Sequence, residues 1–420
     1  APRRLVALGM LAALALALTG CGPHREAPSS APTAPALPWQ AVTLPALADG
    51  RITVRDVAAC PGRWYAVGGY LTSPTTGTPG VWSSVDGTHW SGVPLRPISL
   101  YGRQNILSTV ACAGDTVVAV GAAAGGAHGN PRTSTWHGTA AAGLDEAPSQ
   151  FELFGGDNAG PVENLTAGPH GWLIGGGRKD ANGLAGGAVW WSRDGALFPL
   201  VDGDPALESD ATAARAVRAV TATATGFVAV GSTTPAAPAA GASPGSGLAP
   251  RHGSVWHSTD GLHWTRDGVP DSGVDTELQA VTAEAGGAAS GPVPSASVPR
   301  NGEPGPLVAA GVMGTTFAVW RDDGSGWRAV ARFGTIGGTA LPTVSALASV
   351  AGRDFLVASG GADYGLWTAR AGSDAWAATP LPADVAGGAD RAVHLAGVGD
   401  HLLLSVEDGT STRLWLAALD

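Results

Sequence analysis

Continuous apolar runs bounded by glycine recur along the chain. Trp64-Tyr65-Ala66-Val67-Gly68, Val117-Val118-Ala119-Val120-Gly121 and Phe227-Val228-Ala229-Val230-Gly231 are three of them, and Leu402-Leu403-Leu404-Ser405 is the last. Such runs predict strands packed on both faces. A further strand follows, carrying a Trp at its end: Trp82, Trp136, Trp190, Trp256, Trp320, Trp367 and Trp415, spaced 54, 54, 66, 64, 47 and 48 residues apart. A repeat of about 40–50 residues, lengthened by insertions, marks a propeller or a related array. The first unit parses, from inner to outer strand, as residues 52–58, 64–69, 80–84 and 89–93. The seventh reaches Asp420 without an outer strand. Trp39-Gln40-Ala41-Val42-Thr43-Leu44 looks like the outer strands that begin at Trp90 and Trp376. It is therefore expected to pair into the last blade and lock the ring. The pattern predicts an all-β, seven-bladed β-propeller of four-stranded antiparallel blades over residues 39–420. The two longest intervals come from Ala/Gly/Ser/Pro tracts at 235–250 and 285–306, read as loops without a core of their own.

The segment Val81-Trp82-Ser83-Ser84-Val85-Asp86-Gly87-Thr88-His89-Trp90 aligns without a gap to residues 189–198 and 255–264, and residues 319–327 match one residue shorter. In this Ser-x-Asp-Gly-x-x-Trp turn the Asp accepts from the turn's own amides and the Gly takes a positive φ. The motif resembles the Asp-box, or BNR-type, repeat of sialidases and other propellers, and the resemblance covers four of the seven units. Asp86, Asp194, Asp260 and Asp323 are assigned to structure, because a residue repeated around a ring builds the ring. In sialidases these turns lie on the face away from the substrate.

Composition adds a compartment. Arg3-Arg4 precedes an apolar run over residues 5–18, then Thr19-Gly20-Cys21. This is the layout of a secretory signal peptide, and the run falls short of the roughly 20 residues that span a bilayer. Leu18-Thr19-Gly20-Cys21 resembles the lipobox of bacterial lipoproteins. That resemblance implies removal of residues 1–20, acylation of Cys21, and a protein held by acyl chains on the outer face of the cell membrane. Export by the general or the twin-Arg route stays open. Residues 21–38, rich in Pro, Ala and Ser, read as a tether of up to about 50 Å. An oxidising destination makes Cys60 and Cys112, at nearly equivalent positions in the first two units, an expected disulfide, with two free thiols as the alternative. The net charge of −10 excludes the basic stripe of a nucleic-acid surface.

Candidate chemistry is sparse. A sialidase needs three Arg, a Tyr nucleophile with a Glu partner, and an acid/base Asp. Arg51-Ile52-Thr53 stands where that family has Arg-Ile-Pro, and Tyr65, Tyr70, Tyr101 and Tyr364 are the only tyrosines. Other glycosidases need two carboxylates at a defined separation, which spacing along a propeller does not reveal. His252, His257 and His263 are close in sequence, but strand and turn positions account for them. No nucleophile elbow, phosphate loop or zinc spacing is present, so neither metal nor cofactor is expected. Loop residues Tyr70, Tyr101, Arg103, Arg178, Lys179 and Tyr364 are the candidate recognition groups on the rim of a central funnel. The expected function is a monomeric, lipid-anchored extracytoplasmic scaffold that binds a protein or glycan. The alternative is a surface glycoside hydrolase of sialidase-like type.

Overall fold

A computed structural model describes residues 32–73, 76–125, 130–149, 151–180, 183–236, 250–270, 272–284, 306–337, 341–388 and 391–419. The expected signal peptide, Cys21, the first part of the tether and nearly all of both insertions lie outside these residues. Among those described, no helix is long and apolar enough to cross a membrane.

Seven antiparallel sheets surround a central channel. The first blade consists of Arg51–Cys60, Arg63–Ser73, Thr76–Ser84 and Ser91–Gly92. The innermost strands of the next six are Ile106–Ala113, Ala159–Gly168, Ala213–Thr223, Thr276–Ala283, Thr343–Val350 and Ala392–Val398. Each packs against the next, and the seventh returns to the first. The ring closes as the pattern predicts: Trp39–Val42 pairs antiparallel with Thr412–Ala418, from Trp39 opposite Ala417 to Val42 opposite Leu414.

Three details depart from the simple repeat. The third blade has three strands, its fourth reduced to a bridge between Trp190 and Leu200. Phe198 stands there in place of the usual outer Trp. The second blade gains a short parallel strand, Leu95–Arg96, from the connection that enters it. The end of the expected tether is also docked. Ala34 N–H donates to Ala378 O at 2.7 Å, and Ala378 N–H donates to Pro32 O at 2.8 Å, along the outer strand of the sixth blade.

The core lies between blades. Trp82, Trp136, Trp190, Trp256 and Trp320 are fully buried, each burial worth about 1.5–3 kcal/mol or more. One cluster joins Tyr65 and Val81 of the first blade to Val117, Trp136 and Leu144 of the second. The Cys60–Cys112 disulfide ties the innermost strands of the same two blades, with Cα atoms 6.2 Å apart.

Candidate functional site

Glycines in the middle of the second strands lie tight against the innermost strands. At Gly68 an added Cβ would lie 1.9 Å from Thr53 O, and at Gly231 the same distance from Ala216 O. No side chain fits at that separation. The close approach accompanies a β-bulge in the facing innermost strand: Val54 pairs with Gly68 and Asp56 with Val67, leaving Arg55 unpaired. The same shift leaves Ser108, Glu163, Arg218, Gln279 and Ser345 unpaired in blades two to six. A bulge re-aims a side chain, and here it places charged and amide groups around one end of the channel. The seventh blade has no bulge and pairs His394 directly with Ser405.

Glu163, Arg218 and Gln279 line one cavity of about 300 Å³, together with Arg251, Glu277 and Leu341–Val344. Arg218 bridges two neighbouring blades, donating from Nη1 to Glu163 at 3.0 Å and from Nε to Glu277 at 3.0 Å. Arg251 reaches Glu277 at 2.8 Å and Asp275 at 2.6 Å. Gln279 Nε2 donates to Glu277 at 3.0 Å, and its Oε1 accepts from Val344 N–H at 2.8 Å. Burial raises the carboxyl of Glu163 despite the Arg218 guanidinium beside it. Burial also pushes Glu277 up, but Gln279, Arg218 and Arg251 together outweigh it and hold that carboxyl below its ordinary value.

Between the innermost strands of the first and seventh blades, Asp56 and His394 face each other at 3.6 Å, beyond hydrogen-bond range. Burial raises Asp56 to about 7. Burial, with the positive charge of Arg55, lowers His394 to about 4. Asp56 also accepts from Val110 N–H of the next blade at 2.9 Å. Thr109 accepts from Leu165 N–H at 3.2 Å, and Asn164 from Val220 N–H at 2.8 Å. One register position thus stitches each of blades one to three to its neighbour.

The other end of the channel has small side chains and no charged one among its lining residues. A cavity of about 340 Å³ opens there among the ends of all seven innermost strands, lined by residues such as Ala58, Ala111, Ala167, Ala222, Ala348 and Gly397. The Ser-x-Asp-Gly turns lie at this end. Asp86 Oδ1 accepts from Thr88 and His89 N–H, both at 2.8 Å, and Asp260 Oδ1 from Leu262 and His263 N–H at 2.8 and 2.9 Å. Asp194 accepts from Ala196 N–H at 3.0 Å and Asp323 from Ser325 N–H at 3.1 Å. His89, by its amide and its ring, and Thr88 hold Asp86 far below the usual carboxylate range, and His263 does the same for Asp260. In the fifth blade Asp322 shares the work, accepting from Gly324 and Gly326 N–H. Among the described residues, no group of three or more His, Cys, Asp and Glu is placed to hold a metal ion.

The six candidate recognition residues do not converge. Tyr70 is buried against Trp82, its hydroxyl accepting from Leu47 N–H at 2.9 Å, so it offers a ligand no surface. Arg178 is occupied by the carbonyls of Glu152 and Leu153, at 2.8 and 3.2 Å. Tyr364 donates to Arg391 O at 3.3 Å. Tyr101, beneath the Arg132 guanidinium at 5.4 Å, and exposed Arg103 lie on the short helix Leu100–Gln104, between the first two blades. Lys179 is exposed on the third blade. Of the residues that do converge, Glu163, Arg218, Glu277 and Gln279 lie on innermost strands, and Arg251 immediately precedes the third strand of the fourth blade, His252–Ser258. The recurring second-strand glycine was their signal in the sequence.

No family model matches the chain, and no curated protein matches it. Among solved structures it is similar to the β-propeller domain of the Trilobed protease from Pyrococcus furiosus, which has an open velcro topology. The identity is 8% over 87% of this chain and 94% of that one, with a TM-score of 0.44.

Proposed function

We propose that this β-propeller is a binding or assembly scaffold that recognises its ligand at the polar end of the channel. The observation that carries the reading is the pairing of the charges there. Glu163 and Glu277 share one guanidinium between them. A hydrolase of two carboxyl groups instead needs the sugar between them, with one free to give a proton and the other to attack or activate water. What the cluster supplies is a fixed pattern of donors and acceptors on rigid strands, which suits recognition. The glycoside hydrolase remains the rival reading.

In the same proposal residues 1–20 are a signal peptide, Cys21 bears the acyl chains, and residues 39–420 form the propeller. It stands as a monomer on the outer face of the cell membrane. With residues 32–34 docked on the sixth blade, the chain from Cys21 reaches at most about 40 Å, which holds the propeller close to the bilayer. Pull-down from detergent-solubilised envelope, run beside a panel of fluorogenic glycosides, tests the function. A partner captured without turnover is the expected result. Turnover abolished by Glu163→Gln or Glu277→Gln would replace the scaffold with an enzyme.

A further inference from the structure

The cavity between blades three and six has unfilled hydrogen-bonding capacity. One oxygen of Glu163 accepts from Arg218, while its other oxygen and Arg218 Nη2 have no partner among the described residues. The side chains of Glu163, Arg218 and Arg251 are 26%, 39% and 33% exposed, so they are open to the cavity, whereas Glu277 beneath them is 4% exposed. Pro342 and Val344 add an apolar wall. The volume, about 300 Å³, lies at the lower end of the usual range for small-molecule sites.

Charge selects the class of ligand. Three carboxylates, Glu163, Asp275 and Glu277, surround two guanidiniums, and each guanidinium already has two acidic partners. An anion would have to displace one of those carboxylates. A cation would compete with the guanidiniums for carboxylates that each already have an Arg partner. A hydroxyl group donates and accepts at once, so it can bridge the open oxygen of Glu163 and the open nitrogen of Arg218 without breaking an ion pair. The apolar wall suits the C–H face of a sugar ring.

We propose that this cavity is a saccharide site, taking a neutral sugar residue whose hydroxyls donate to Glu163 and accept from Arg218. The proposal rests on the binding reading above and names its ligand.

Saturation-transfer NMR on the whole protein tests it, with methyl α-glucoside, methyl β-galactoside and N-acetylglucosamine as probes and acetate and methylguanidinium as charged controls. The expected result is saturable transfer to at least one neutral sugar. Glu163→Gln should weaken it roughly tenfold, as expected for losing a hydrogen bond to a charged group, without lowering the melting temperature. Arg218→Lys keeps the charge but loses the planar fork and should weaken it too. Binding of a charged control alone, or of no probe, overturns the proposal. Sugar binding that survives both substitutions also overturns it, and leaves the scaffold reading standing without this site. Release of methanol from a methyl glycoside would overturn the scaffold reading and leave the site in place.

Discussion

Arg218 and Arg321 each hold two carboxylates, but in opposite surroundings. Arg218 joins Glu163 and Glu277 across blades three to five and stays 39% exposed to the channel. Arg321 joins Glu284 and Asp354 between blades five and six and is 4% exposed. Burial raises the Asp354 carboxyl even with that guanidinium beside it, and Glu284 also accepts from Gly372 N–H. Near-identical chemistry is therefore sealed in one place and open in the other. Ions sealed between blades hold them in register, because removing one member strands the others without water. Ions facing a cavity keep their solvation and can exchange it for a ligand. Solvent access, not residue type, separates the sealed cluster from the one proposed to recognise a ligand.

Breaking the sealed contacts should cost most. Deleting residues 39–46 removes the strand that pairs with Thr412–Ala418 and two large side chains, Trp39 and Leu44, that pack in the core. The expected loss is on the order of 5 kcal/mol, read from urea unfolding; an unchanged melting curve would mean that another contact closes the ring. Arg321→Met should cost about 3–5 kcal/mol by leaving two buried carboxylates unpaired. Arg218→Met, at a screened site, should cost about 1 kcal/mol or less. Equal losses would erase the contrast between the two clusters.

Replacing Cys60 and Cys112 by Ser should cost about 2–4 kcal/mol. In the mature protein, two thiol equivalents should label only after reduction, whereas labelling in denaturant without reductant would contradict the disulfide.

Two further effects concern pH. Asp56, raised to about 7 from 3.8, favours the fold when protonated. Its contribution is complete below pH 3.8 and is lost as pH rises through 7. His394, lowered to about 4 from 6.5, favours the fold when neutral. Its contribution is complete above pH 6.5 and is lost as pH falls through 4. The two oppose each other in the interval between. Asp56→Asn should remove the loss as pH rises from about 4 to 7, and His394→Phe the loss as pH falls from 6.5 to about 4. A carboxyl midpoint for Asp56 below pH 5 by ¹³C NMR would contradict this assignment.

Much of the architecture is legible in the sequence because it is written in local repeats. The Trp period marks the third strands, the strand resemblance at Trp39 locates the closure, and the paired cysteines fall on adjacent innermost strands. The third blade's lost outer strand was less visible, since Phe198 keeps an apolar group where the strand itself is missing. The polar cluster escaped for a geometric reason. Glu163, Arg218 and Gln279 stand more than 50 residues apart and meet only because a bulge falls at the same register position in successive blades. Tyr70 misled in the opposite way, since an aromatic near a loop turned out to fill the core.

The most direct test of the open cluster is ligand-linked stabilisation, in which a molecule that binds only the folded state raises the unfolding midpoint. Urea midpoints would be measured with and without saturating methyl α-glucoside, methyl β-galactoside or N-acetylglucosamine. At least one sugar should raise the midpoint of the unaltered protein, with no rise in Arg218→Met. A midpoint that moves for neither protein, or equally for both, would contradict the saccharide site at the polar end of the channel.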